Sequence, residues 1–171
     1  MKKLFAFLLC LAGCTPKTTP VSNASLTILP IRQGQVSYTK TFNRFSISPA
    51  EANARTQQWI ATHYTLLDLH PALHTPEKPD LIYSGNIAGR RFYDRRGERI
   101  IYPPINFQLA VVNQPDSSKI WVTNLEVYDK TQWIPLNQGQ FSNTPFAELW
   151  LSDVDATLQD VMIALRQRLE R

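Results

Sequence analysis

Hydrophobic and polar positions along the chain change period several times, and those changes mark out its elements. From Gln35, the residues Val36, Tyr38 and Phe42 alternate with Ser37, Thr39 and Thr41, as in a half-buried strand. A helix start follows. Ser48 is placed to cap orphan N–H groups, Pro49 suits the first turn, Glu51 completes a capping box and Ile47 can staple onto Ala52. Ala52, Thr56, Trp59, Ile60 and His63 then share a face at helical spacing, which predicts a helix to about Tyr64 with His63 on its buried edge. Pro71, Pro76 and Pro79 mark Asp68 to Asp80 as irregular. Leu81 to Gly89 predicts a strand, Arg90 to Arg99 a hairpin tip with Gly97 able to take a positive φ, and Ile100 to Tyr102 the return, before Pro103-Pro104 interrupts it.

Ile105 to Val112 and Lys119 to Tyr128 predict two more strands. In the second, Ile120 and Val122 share one face while Trp121, Leu125 and Val127 share the other, which suits a central strand. Thr131 to Pro145 is loop-like, with room for a short strand around Trp133 to Leu136. Ser152 is expected to cap the last helix, with Asp153 and Asp155 at its positive end. Val154, Leu158, Val161, Met162, Leu165 and Leu169 form its apolar stripe. The order strand, helix, meandering strands, helix predicts one α+β domain. Its antiparallel sheet should have about four to five strands, with both helices packed on one face.

Ahead of this domain, Lys2 and Lys3 precede an apolar run, Leu4 to Leu11, that is too short to span a bilayer. Leu11-Ala12-Gly13-Cys14 closes the run and resembles the bacterial lipoprotein signal. The resemblance implies that residues 1–13 are removed, with Leu11, Ala12 and Gly13 read by the signal peptidase. It implies that Cys14 carries the acyl chains, palmitate among them, and begins the mature protein. An ordinary cleaved signal and an uncleaved apolar tail are the competing readings. Nothing after Cys14 approaches the ~20 apolar residues of a spanning helix. Thr15 follows the cysteine where, in enteric-type sorting, Asp would favour inner-membrane retention; this points to the outer membrane and its periplasm-facing leaflet. Residues 14–34 are rich in Thr, Ser and Pro and read as a tether, with a root-mean-square reach of roughly 25 Å for about 20 residues. The domain then spans 35–171.

Composition changes the picture in two ways. Cys10 lies in the segment to be removed and Cys14 would be alkylated, so a mature lipoprotein has no disulfide and no cysteine-based metal site. The formal net charge of +4 falls to +2 without Lys2 and Lys3, too mild to suggest nucleic acid.

The lipobox, the early helix with its Trp59-Ile60 pair, the Ile105 to Val112 and Ile120 to Tyr128 strands and the closing amphipathic helix together resemble a family of bacterial envelope lipoproteins. That family is common in the Bacteroidetes and carries a domain of unknown function with a TATA-binding-protein-like (TBP-like) fold. The resemblance covers Gln35 to Arg171. It implies a curved sheet with helices on the convex side, supplies no catalytic residues, and implies no DNA binding.

Arg90, Arg91, Arg95, Arg96 and Arg99, interleaved with Phe92, Tyr93 and Tyr102, form the strongest candidate binding patch. Guanidinium groups hold phosphate or carboxylate as bidentate donors. The bland alternative is a solvated edge, partly neutralised by Asp94 and Glu98. Trp133 and Trp150 are candidate carbohydrate contacts, whereas Trp59 and Trp121 sit at core-like positions. His63, His70 and His74 are the only histidines, and Pro71 breaks the helical spacing a zinc motif needs, so no metal is expected. Glu126 and Asp129 could join a carboxylate pair, but there is no Gly-x-Ser-x-Gly elbow, no phosphate loop and no dinucleotide fingerprint. The expectation is a non-catalytic binding or adaptor protein without cofactor, joined to the membrane through acylated Cys14 and to an envelope partner. Its contact surfaces would be the arginine hairpin and the sheet's open face. A glycan- or lipid-binding domain is the alternative, and a hydrolase a more distant one.

Overall fold

The computed structural model describes residues 28–43, 47–72, 81–139 and 145–170. The lipobox (Leu11, Ala12, Gly13, Cys14), most of the tether and His74 lie outside the described residues. Packing begins at Leu29, which is buried ahead of the expected Gln35 boundary. Just after it, β1 (Ile31–Arg32) and β2 (Gln35–Val36) pair as a small antiparallel ribbon.

The fold is built around β8 (Ile105–Asn113) and β9 (Ser117–Asp129), the long central strands of an antiparallel sheet. β5 (Leu81–Ile87) pairs along β8, and β4 (His70–Pro71) along β5. Two strands share the other edge of β9: β3 (Tyr38–Asn43) covers its first half and β10 (Gln132–Pro135) its second. A separate ribbon is formed by β6 (Arg90–Tyr93) and β7 (Arg99–Tyr102). Among the described residues the main sheet therefore has six strands, beside two two-stranded ribbons. That exceeds the four or five expected. The surplus in the main sheet is β4, a strand two residues long that carries no periodic signal.

One sheet face is apolar. On β8, Ile105, Phe107, Leu109 and Val111 point inward and are at most 2% exposed. β9 contributes Ile120, Val122, Leu125 and Val127, so Leu125 and Val127 lie with Ile120 and not with Trp121 as their spacing suggested. The reason is a β-bulge. Asn106 and Gln108 on β8 are two apart but pair with Glu126 and Thr123, three apart, and the extra residue resets the alternation. Asn124 in the bulge has φ 51°. Trp121, expected in the core, is half-buried on the open face, with the Lys119 ammonium 5.0 Å from its ring centroid.

Both helices cover the apolar face. α1 (Pro49–Leu67) packs on β5 and β8, and α2 (Pro145–Glu170) on β9, with the helices also touching each other. In α1 the Glu51 N–H donates to Ser48 Oγ at 3.2 Å, as a cap requires, while the Glu51 carboxylate pairs with Arg55. Ala52, Thr56, Trp59 and Ile60 are buried, Thr56 donating its hydroxyl to the Ala52 carbonyl at 2.9 Å. The helix runs past Tyr64 to Leu67, which is also buried. α2 differs more from expectation. It starts at Pro145, so Ser152 lies inside it, exposed, and caps nothing. Ala147, Trp150 and Leu151 are buried at the same three- and four-residue spacing as Val154 and Leu158, which extends the stripe back, and proline is tolerated in a first turn. Beneath α2, Tyr38 donates its phenol to Asp155 Oδ1 at 2.9 Å, and burial followed by that carboxylate pushes its pKa above the ordinary tyrosine range.

Candidate functional site

Two surfaces carry the candidate chemistry. The first is the β6–β7 hairpin. Its turn follows from Asp94, whose Oδ1 accepts from the backbone N–H of Arg96 and of Glu98, both at 2.8 Å, while Gly97 takes φ 79°. The register pairs Arg90 with Tyr102 and Phe92 with Ile100, which puts these four on one face. Arg91, Tyr93, Arg99 and Ile101 occupy the other. The inner face lies on α2. Phe92 stacks on Phe146 with centroids 5.4 Å apart, Tyr102 stacks on Trp150 at 5.0 Å, and Arg90 Nη1 is 2.5 Å from Asp153 Oδ2.

The hairpin reaches α2 because it leaves the sheet at Ala88-Gly89 opposite Pro103-Pro104. Proline there removes ladder hydrogen bonds, and the chains cross so closely that a Cβ on Gly89 would fall 2.5 Å from the Tyr102 carbonyl oxygen. Five arginines thus separate into two groups. Arg90, itself exposed, forms an ion pair with Asp153 on the inner face. Arg91, Arg95, Arg96 and Arg99 are exposed.

The tryptophan expectations divide as well. Trp150 is 1% exposed beneath Tyr102 and is core, not a ligand contact; α2 begins earlier than its apparent start and carries Trp150 inward. Trp133 is 38% exposed and stands edge-to-face with Tyr128, 42% exposed, at 5.4 Å between centroids. His63 is exposed, not buried, with its ring stacked 4.6 Å from that of Trp59. His70 Nε2 lies 2.8 Å from Asp68 Oδ1. Among the described residues no group of three or more His, Cys, Asp or Glu is placed to hold a metal ion.

The second surface is the open face of the sheet, where a groove of about 280 Å³ is lined by Asp68, His70, Ser84, Asn86, Asn106, Gln108, Asn124 and Glu126. Asn86, Asn106, Glu126 and Pro135 form one cross-strand row, because each pairs with the next across β5, β8, β9 and β10. Asn86 Nδ2 donates to Asn106 Oδ1 at 2.7 Å, and Asn124 Nδ2 to Gln108 Oε1 at 2.8 Å. Glu126 therefore lies in the groove, whereas Asp129 belongs to the β9–β10 turn. The amides were not singled out from sequence. Asn106 and Gln108 alternate with Ile105, Phe107 and Leu109, which reads only as a solvent face; the register is what assembles them.

No family model and no curated protein matches the chain. Two solved structures do. A DUF4468 family protein from Bacteroides ovatus superposes with a TM-score of 0.56 at 15% identity, over 82% of this chain and 91% of that one. A TBP-like protein from Parabacteroides distasonis gives a TM-score of 0.62 at 10% identity, over 84% of this chain and 98% of that one. Identities this low speak for the fold alone: a mixed α+β, TBP-like architecture, shared with proteins of the Bacteroidetes.

Proposed function

We propose that the protein is a lipid-anchored binding protein of the cell envelope, a non-catalytic adaptor. Acylated Cys14 holds it to the periplasm-facing leaflet of the outer membrane, and the β6–β7 hairpin docks an acidic envelope protein. The observation that supports this reading is the mounting of the hairpin. Its inner face is fixed to α2 by the Phe92–Phe146 and Tyr102–Trp150 stacks and the Arg90–Asp153 pair, while Arg91, Arg95, Arg96 and Arg99 are exposed. A merely solvated turn needs no such support. Guanidinium groups held on a rigid mount lose less freedom on binding, and they pair carboxylates with two parallel hydrogen bonds.

The test is gentle crosslinking in the native envelope, followed by identification of what co-purifies. A stoichiometric protein partner is expected with the wild type and not with the Arg91→Gln/Arg95→Gln/Arg96→Gln/Arg99→Gln variant. The same partner recovered with both would remove the hairpin from the interface. Recovery of the protein in soluble, unacylated form would overturn the role of Cys14.

A further inference from the structure

The groove on the open face has chemistry that the hairpin lacks. Its lining among the described residues includes no Lys or Arg, and it has the carboxylates Glu126 and Asp68, the latter paired with His70. An anionic ligand is therefore disfavoured. What the groove offers instead is uncharged hydrogen bonding. Each amide–amide contact, Asn86 with Asn106 and Asn124 with Gln108, uses one donor and one acceptor. Each pair keeps a carbonyl oxygen and an NH₂ group not used in that contact. A hydroxyl group both donates and accepts, so adjacent hydroxyls on one ring match such a pair. Asn86, Asn106, Gln108 and Glu126 are half-buried, and the three amides among them are held by hydrogen-bond partners, so little order is lost when a ligand arrives.

Two further observations point to the same class of ligand. Tyr128 follows Glu126 by two residues on β9 and shares its face, which places it about 7 Å along the strand. With Trp133 across from it on β10, it forms an exposed aromatic pair beside the amides. An aromatic face against the C–H side of a ring, with amides against its hydroxyls, suits a sugar. Asn124 is the second observation. It holds a left-handed backbone in mid-strand, φ 51°, and its side chain reaches Gln108. Bulges of this kind re-aim side chains and concentrate near functional sites.

We propose that the open face of the sheet binds a neutral saccharide, with hydroxyls on Asn86, Asn106, Gln108 and Asn124 and a ring stacked on the Tyr128–Trp133 pair. The groove's volume lies at the lower edge of ordinary small-molecule sites and suits one or two rings. The site uses none of the hairpin's arginines, so each proposal can fail without the other.

The full chain, extracted in a detergent without a sugar headgroup, is titrated with chitotriose, cellotriose and mannotriose, following tryptophan fluorescence and calorimetry. At least one trisaccharide is expected to bind, about ten-fold more weakly to Asn124→Gly and to Trp133→Ala. The Arg91→Gln/Arg95→Gln/Arg96→Gln/Arg99→Gln variant is expected to bind as the wild type does. Glycine keeps the left-handed bulge, so a loss in Asn124→Gly with an unchanged thermal midpoint reports the side chain and not misfolding. Failure of all three sugars to bind, or binding indifferent to both substitutions, overturns the proposal. So does a sedimentation dimer that Trp133→Ala dissociates and sugars do not, since a second copy then occupies the face.

Discussion

At position 124 an asparagine sits in the middle of the longest strand with φ 51°, a conformation few side chains tolerate and that asparagine adopts with help from its own amide. Glycine there should leave stability nearly unchanged, while Asn124→Val should lower it by about 1–3 kcal/mol in denaturant titration, because a β-branched residue resists that region. The residue was the only trace of the bulge in the sequence, since asparagine is poor in strands. Periodicity read straight through it and so put Leu125 and Val127 on the wrong face. Gly89 makes a second residue-scale case. Its replacement by alanine pushes a Cβ against the Tyr102 carbonyl, and the expected loss is roughly 1–3 kcal/mol, read the same way. Tyr38 sets a pH dependence. Its folded pKa is raised, so above about pH 10 the unfolded chain releases a proton that the folded chain keeps, and stability falls as pH rises. Below that pH the contribution is intact. Tyr38→Phe should flatten the alkaline decline measured from about pH 9 to about pH 11.

Helices and strands with clean periods were legible as elements, and their ends were less so. Ser152 with Asp155 three residues on looks like a helix start, but Ala147, Trp150 and Leu151 continue the buried stripe behind it, and burial outweighs a cap signal. The two serines separate these cases. Ser48→Ala should cost about 1 kcal/mol, because Ser48 Oγ caps α1. Ser152→Ala should stay within about 0.5 kcal/mol of the wild type in the same urea titration. Leu158, fully buried in that stripe, should lose about 2–5 kcal/mol as alanine. The arginine hairpin was legible as a hairpin, down to Gly97 in its turn. Its division into one arginine tied to α2 and four on the outer face and turn was not, because that depends on Asp153 lying across a tertiary contact.

For the molecule as a whole, element order sufficed for the α+β class, since two amphipathic helices and a run of antiparallel strands have few ways to bury their apolar faces. The open-face groove had no comparable signal. Asn86, Asn106 and Glu126 lie far apart in the chain and meet only through strand register, which the spacing of single residues does not reveal. The bend at Gly89 and Pro103-Pro104 has one more effect. It lifts the arginine tip out of the sheet towards the helix layer, whereas the amide row stays on the opposite surface. One undivided core of buried side chains lies between them. Two ligands on these surfaces would not compete for space, and with one continuous core joining the faces among the described residues, neither ligand would have a separate domain arrangement to shift. Occupancy of one side should leave affinity on the other unchanged. With both proposals in place the protein would be bivalent without being cooperative: it would hold two things at a fixed separation and pass no message between them.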